Sequence, residues 1–159
     1  MAVIIDDVEE FTRDWDWYAV DQGGYLGHFT SAGMRALPKS IKNDREAAQL
    51  IAQYFFEQAP VTGGWSVSSE AENEAGGWKK KGFERYLKDF ALMATKGLFS
   101  FNTELVHGSE GRYYLVAIPE TPLHIDDVPV NIRGLVSRTA ASLRLPDCPY
   151  IAGQTTKMW

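Results

Sequence analysis

Asp14-Trp15-Asp16-Trp17-Tyr18-Ala19-Val20 runs into Asp21-Gln22-Gly23-Gly24 and then into Tyr25-Leu26-Gly27-His28-Phe29-Thr30. Side chains alternate along a strand. Trp15, Trp17 and Ala19 therefore share one face, and Asp14, Asp16 and Tyr18 share the other. The glycine pair tolerates positive φ and supplies a tight turn. The stretch reads as a β-hairpin, which implies antiparallel pairing.

Upstream, residues 6–13 suit a short helical turn with Val8 and Phe11 as its apolar contacts. Downstream, residues 31–43 read as a loop punctuated by Gly33 and Pro38. Asn43-Asp44-Arg45-Glu46 resembles a capping box with Asn43 as N-cap. Behind it, Ala47, Leu50, Ile51, Tyr54 and Phe55 recur at helical spacing. This predicts a helix over 44–58, stopped by Pro60. Residues 60–77, bracketed by Gly63-Gly64 and Gly76-Gly77, read as a long, mobile polar connection around Trp65. Phe83, Tyr86, Leu87, Phe90, Ala91 and Ala94 form a second helical stripe from near Gly82 to Lys96-Gly97. Residues 98–106 and 112–118 read as two strands around a turn at 107–111, the second apolar on both faces. A short helix from Asp127, capped by Asp126 or Asp127, a last strand at 142–145 and an irregular tail to Trp159 complete the chain. The expected fold is one α+β domain over residues 1–159. Its antiparallel sheet is built from two hairpins, with two main helices packed on one face.

The 159 residues are 45% apolar and 23% charged, which fits one ordinary globular domain. Five Trp, seven Tyr and eight Phe supply large rings. The single cysteine, Cys148, allows no internal disulfide, so a reducing compartment is expected. The N-terminus lacks a basic start and a long apolar stretch, and no run suits a membrane span. These features predict a cytoplasmic protein with no membrane partner. The net charge is −5. Residues 1–21 hold seven acids against Arg13 alone, so nearly all the excess charge sits at that end. Such a balance argues against nucleic acid and for a basic partner.

His28, His107 and His124 are the only histidines, and none lies four residues from another. His124-Ile125-Asp126 offers two ligands at most, so no metal is expected. Cys148 has no histidine nearby in sequence to act as its base. No phosphate loop, dinucleotide fingerprint or nucleophile elbow occurs, and no cofactor or catalytic residue is assigned. Lys79-Lys80-Lys81 reads as a solvated face, with an anion site as the alternative.

Protein recognition remains. On the strand, Asp14, Asp16 and Tyr18 look outward if the tryptophans look inward. Asp6, Asp7, Glu9, Glu10, Asp14, Asp16 and Tyr18 then form an acidic aromatic surface suited to a basic protein. The alternative is an enzyme or small-molecule binder with its site between the first hairpin and residues 60–77, where His28 and Trp65 would be contacts.

Asp14-Trp15-Asp16-Trp17-Tyr18-Ala19-Val20-Asp21, followed by Gly27-His28-Phe29-Thr30-Ser31-Ala32-Gly33, resembles the opening of certain small bacterial proteins. Some of these are similar to immunity proteins of polymorphic toxin systems. The resemblance covers about 20 of the 159 residues. It implies an acidic, cytoplasmic α+β domain that neutralises a toxin by binding it.

Overall fold

The computed structural model describes residues 2–76, 78–104 and 111–152. The fold is α+β. In chain order the elements are α1 (Asp7–Thr12), β1 (Asp16–Val20), β2 (Leu26–Thr30), α2 (Lys39–Lys42), α3 (Arg45–Gln53), β3 (Trp65–Val67), α4 (Ser69–Glu74), α5 (Lys80–Thr95), β4 (Phe99–Thr103), β5 (Arg112–Pro119), α6 (Val130–Val136) and β6 (Tyr150–Ala152). A π-helical turn, Tyr54–Gln58, extends α3. Short 3-10 turns cover Ile125–Asp127 and Leu145–Asp147.

The first hairpin forms as its sequence directs. β1 and β2 pair antiparallel, with Trp17 opposite Phe29 and Tyr18 opposite His28. Gly24 takes φ +83° in the turn. Asp21 closes it by accepting from the N–H groups of Gly23 and Tyr25 through Oδ1. β4 and β5 also pair antiparallel. The predicted turn between them, with His107, lies outside the described residues, as does the tail beyond residue 152.

The sheet is mixed, which corrects the expectation of an antiparallel sheet of two hairpins. Its order is β1-β2-β4-β5-β3, and β6 also pairs with β5. β2 and β4 run parallel, with His28 opposite Ser100 and Phe29 opposite Phe101. Between them the chain passes through α2, α3, β3, α4 and α5. A crossover of that length returns the chain to its starting end, where a neighbouring strand must run the same way.

Five features differ from the sequence expectation. Residues 31–43, expected as a loop, hold α2. Residues 60–77 hold β3 and α4 rather than a structureless connection. Ser68 caps α4 by accepting from Ala71 N–H, and β3 takes β5 as its partner. The last strand is Tyr150–Ala152, not 142–145. α3 is capped by Asp44, one residue after the expected Asn43, through a bond from Ala47 N–H. Ahead of α6, His124 rather than an aspartate caps the 3-10 turn.

Both faces of the sheet are covered. On one face Tyr18, Val20 and Leu26 pack with Ile51, Phe55, Met93, Ile132 and Val136. Leu87, Phe90 and Ala94 of α5 cover Tyr114 and Val116 on the same side. The opposite face carries a ring stack, Trp17 on Phe29 at 4.2 Å and Phe29 on Phe101 at 4.9 Å. Ile5, Leu37, Ile41 and Leu145 close over it.

Candidate functional site

The seven acids of residues 1–21 are mostly engaged by the fold. Asp6 caps α1 by accepting from Glu9 N–H, and Glu9 returns the bond to Asp6 N–H. Glu9 also pairs with Arg45. Asp7 and Glu10 share the Lys42 ammonium at 2.6 and 2.9 Å. The Lys42 hydrogen bond and charge hold the Asp7 carboxyl below its ordinary range, and the two carboxylates push Lys42 up. Glu10 is 3% exposed and accepts from Leu37 N–H at 2.9 Å. It is a core anchor and cannot be a contact residue.

Asp14 accepts from Ala32 N–H at 2.8 Å. Ala32 has φ +52° and is the only non-glycine with positive φ among the described residues. Asp14 thus holds a strained corner where the chain leaves β2. Asp16 is half-buried and lies 2.7 Å from His28 Nε2. Asp21 takes a third backbone donor, Leu145 N–H, at 2.8 Å.

Tyr18 is not an outward anchor. It is 1% exposed, stacked on Phe55 at 4.8 Å and tilted over His28 at 5.3 Å. Burial pushes its phenol far above the ordinary range. The expectation failed because it assumed a sheet with one wet face. α3, α5 and α6 cover the face on which Tyr18 points.

His28 and Trp65 do not form one site. β4 and β5 separate β2 from β3 in the sheet. Trp65 packs with Leu87, Phe90 and Val116. His28 is fully buried, with Nδ1 2.7 Å from Ser100 Oγ and Nε2 2.7 Å from Asp16 Oδ1. A carboxylate only accepts, so Nε2 carries a hydrogen, and in the neutral imidazole Nδ1 then accepts from the serine hydroxyl. This is the order of a nucleophile, a base and an orienting acid. Ser100, however, is fully buried, and Tyr18, Phe56 and Phe90 surround the imidazole. No substrate carbonyl reaches that hydroxyl in this packing.

Beside the relay, Asp16 pairs across the strands with Thr30, and Tyr114 with both Asn102 and Tyr150. Thr30 Oγ1 donates to Asn102 Oδ1 at 2.6 Å. Asn102 Nδ2 donates to Tyr86 at 3.0 Å, and the Tyr86 and Tyr114 hydroxyls bond each other. Burial raises both phenols, so they act as hydrogen-bonding hydroxyls and not as bases.

The other chemical candidates stand apart. Burial and Asp147 push the Cys148 thiol up, away from a reactive thiolate. No group of three metal-ligating side chains occurs among the described residues. No described helix is long and apolar enough to cross a membrane.

The sequence misassigned Val8 and Phe11, expected as inward contacts of α1. They are 70% and 50% exposed, and Val3 and Ile4 are 55% and 59% exposed. Glu10 is the reason. Its bonds to Leu37 and Lys42 turn its own side of α1 inward, and Val8 lies about 200° round the helix from it. Of eight exposed large apolar side chains among the described residues, four therefore fall within residues 3–11.

No family model, curated protein or solved structure matches the chain.

Proposed function

We propose that the chain is a non-enzymatic protein-binding domain that grips a basic protein, in the manner of a bacterial immunity protein neutralising a toxin. Its contact surface is the N-terminal segment. Val3, Ile4, Val8 and Phe11 are the apolar centre, and Asp6, Asp7 and Asp14 are the acidic rim. The observation that carries this reading is the concentration of exposed apolar side chains in residues 3–11. The fold is closed without them, since Ile5 and Glu10 make the inward contacts of the same segment. Apolar centres rimmed by polar groups are the usual anatomy of protein contact sites. The exposed aspartates add steering toward a positive partner.

The test is a pull-down from lysate of the source organism with tagged protein, washed across a salt series, with bound proteins identified by mass spectrometry. The comparison is Phe11→Lys, whose circular dichroism must match the parent. One basic protein retained by the parent and lost by the variant is the expected result. Identical recovery on both would remove the segment as the contact surface.

A further inference from the structure

We infer that the N-terminal half of α5, together with Trp78, is a second docking surface, and that it takes a short acidic segment of another protein. Lys79, Lys80, Lys81, Arg85 and Lys88 are all exposed. No ion pair among the described residues engages any of them, whereas Lys42, Arg45, Arg112 and Arg138 each hold a carboxylate. Only Glu84 and Asp89 offset them between residues 78 and 89.

The arrangement works against the helix that carries it. Lys81, Arg85 and Lys88 lie at i, i+4 and i+7 on one stripe, where like charges repel. Lys80 and Lys81 sit in the first turn, where the helix dipole disfavours cations. Leu87, Phe90, Met93 and Ala94 make the core contacts of α5 without help from any of these bases. The buried contacts of α5 do not use the stripe, and a negative partner would relieve its repulsion.

Trp78 supplies the apolar contact beside the charges. It is 48% exposed. Its ring is held edge-on to Tyr86 at 5.0 Å and to Phe83 at 6.5 Å. An exposed indole propped by two rings next to a cationic stripe suits an acidic peptide carrying one apolar side chain.

The charge balance selects the partner class. Residues 78–89 carry net +3, so the chain's −5 leaves −8 elsewhere. An extended polyanion, such as a nucleic acid or an anionic bilayer, would meet that excess beyond the patch. A single small anion would not span the stripe, which is roughly 10 Å long from residue 81 to 88. A second copy of this chain, which would offer the exposed Asp6, Asp7 and Asp14, is the competing occupant that sedimentation tests.

The experiment is fluorescence anisotropy with a labelled Asp/Glu peptide of about ten residues carrying one central leucine. The parent chain is titrated across a salt series, beside Lys81→Glu/Arg85→Glu and Trp78→Ala. All three are checked for fold by circular dichroism. The expected result is saturable, salt-sensitive binding that the charge reversal weakens at least tenfold, by analogy with steered interfaces, and that Trp78→Ala also weakens. Phe11→Lys should leave this binding unchanged, which separates it from the N-terminal contact. Failure of the parent to bind, or equal binding by the charge-reversed chain, overturns the proposal. Tighter binding of a single-stranded oligonucleotide or of phosphatidylserine vesicles overturns the partner class, and peptide-independent self-association in sedimentation overturns it in favour of a second copy.

Discussion

His28 Nδ1 stands 2.7 Å from Ser100 Oγ, and the two residues are direct register partners across the parallel β2–β4 junction. Parallel pairs are slightly weaker per residue than antiparallel ones. This junction is where the first hairpin joins the rest of the sheet. A side-chain bond buried beneath Tyr18, Phe56 and Phe90 fixes its register. His28→Ala should cost about 3 kcal/mol, from the cavity and from the unpaired hydroxyl and carboxylate it leaves. Ser100→Ala should cost about 1 kcal/mol. The double variant should cost less than the sum, because both changes break one bond. Urea unfolding followed by tryptophan fluorescence measures all three. Additive losses would show that the pair is not coupled.

Lys42 holds two carboxylates of very different burial. Asp7 has a side chain 86% exposed, and Glu10 one 4% exposed. Asp7→Ala should leave the unfolding midpoint unchanged, as exposed pairs generally do. Glu10→Ala should cost roughly 3 kcal/mol, because it strips a buried carboxylate from Lys42 and removes the bond that Leu37 N–H donates. Equal effects in urea unfolding would mean that Glu10 is not the anchor of α1.

Asp44 links the acid limb of stability to the start of α3. Its carboxylate accepts from Ala47 N–H and pairs with Arg138, and both contacts hold its pKa below the ordinary value of 3.8. A lowered folded pKa contributes stability that is fully present above the unfolded value. That contribution is lost as pH falls through the folded one. Asp44→Asn keeps a capping oxygen and removes the titration, so its midpoint should fall less steeply below 3.8 than the parent's. Asp44→Ala should lose about 1 kcal/mol of capping at neutral pH. Thermal unfolding at stepped pH distinguishes the two; parallel acid limbs for parent and Asp44→Asn would exclude Asp44 from the linkage.

Local rules reached the elements that local forces make. The Asp21–Gly24 turn, the apolar stripe of α3 and the two-faced β5 were legible because each is fixed by neighbours in sequence. The parallel β2–β4 pair was not. Which strand lies beside β2 depends on where a crossover of almost seventy residues ends, and no local pattern records that. Strand alternation puts Tyr18 outward because it names two faces but not how many are covered. Glu10 shows the same limit at the site. As one acid among seven it looked solvated, yet it takes the inward position that Val8 and Phe11 were expected to fill. The Asp16–His28–Ser100 relay joins residues 12 and 72 positions apart, so the histidine was recognisable but its partners were not.

Two glycines of the α5 region should respond to alanine with opposite signs. Gly97 ends the helix with φ +91°, a conformation that costs an L side chain about 1 kcal/mol or more. A Cβ there would also stand 2.6 Å from the Leu123 backbone nitrogen, whose N–H donates to Gly97 O. Backbone cannot rotate aside as a side-chain tip can, so Gly97→Ala should lose roughly 2–3 kcal/mol. Gly82 lies inside α5, and a Cβ on it meets nothing within 4 Å. Alanine there limits the unfolded chain without strain in the folded one, and should gain about 0.5–1 kcal/mol. The two variants differ from the parent by the same methyl group. Thermal unfolding midpoints that move in opposite directions would place the difference in backbone geometry at the helix end. Midpoints that fall together would mean that α5 does not begin ahead of Gly82.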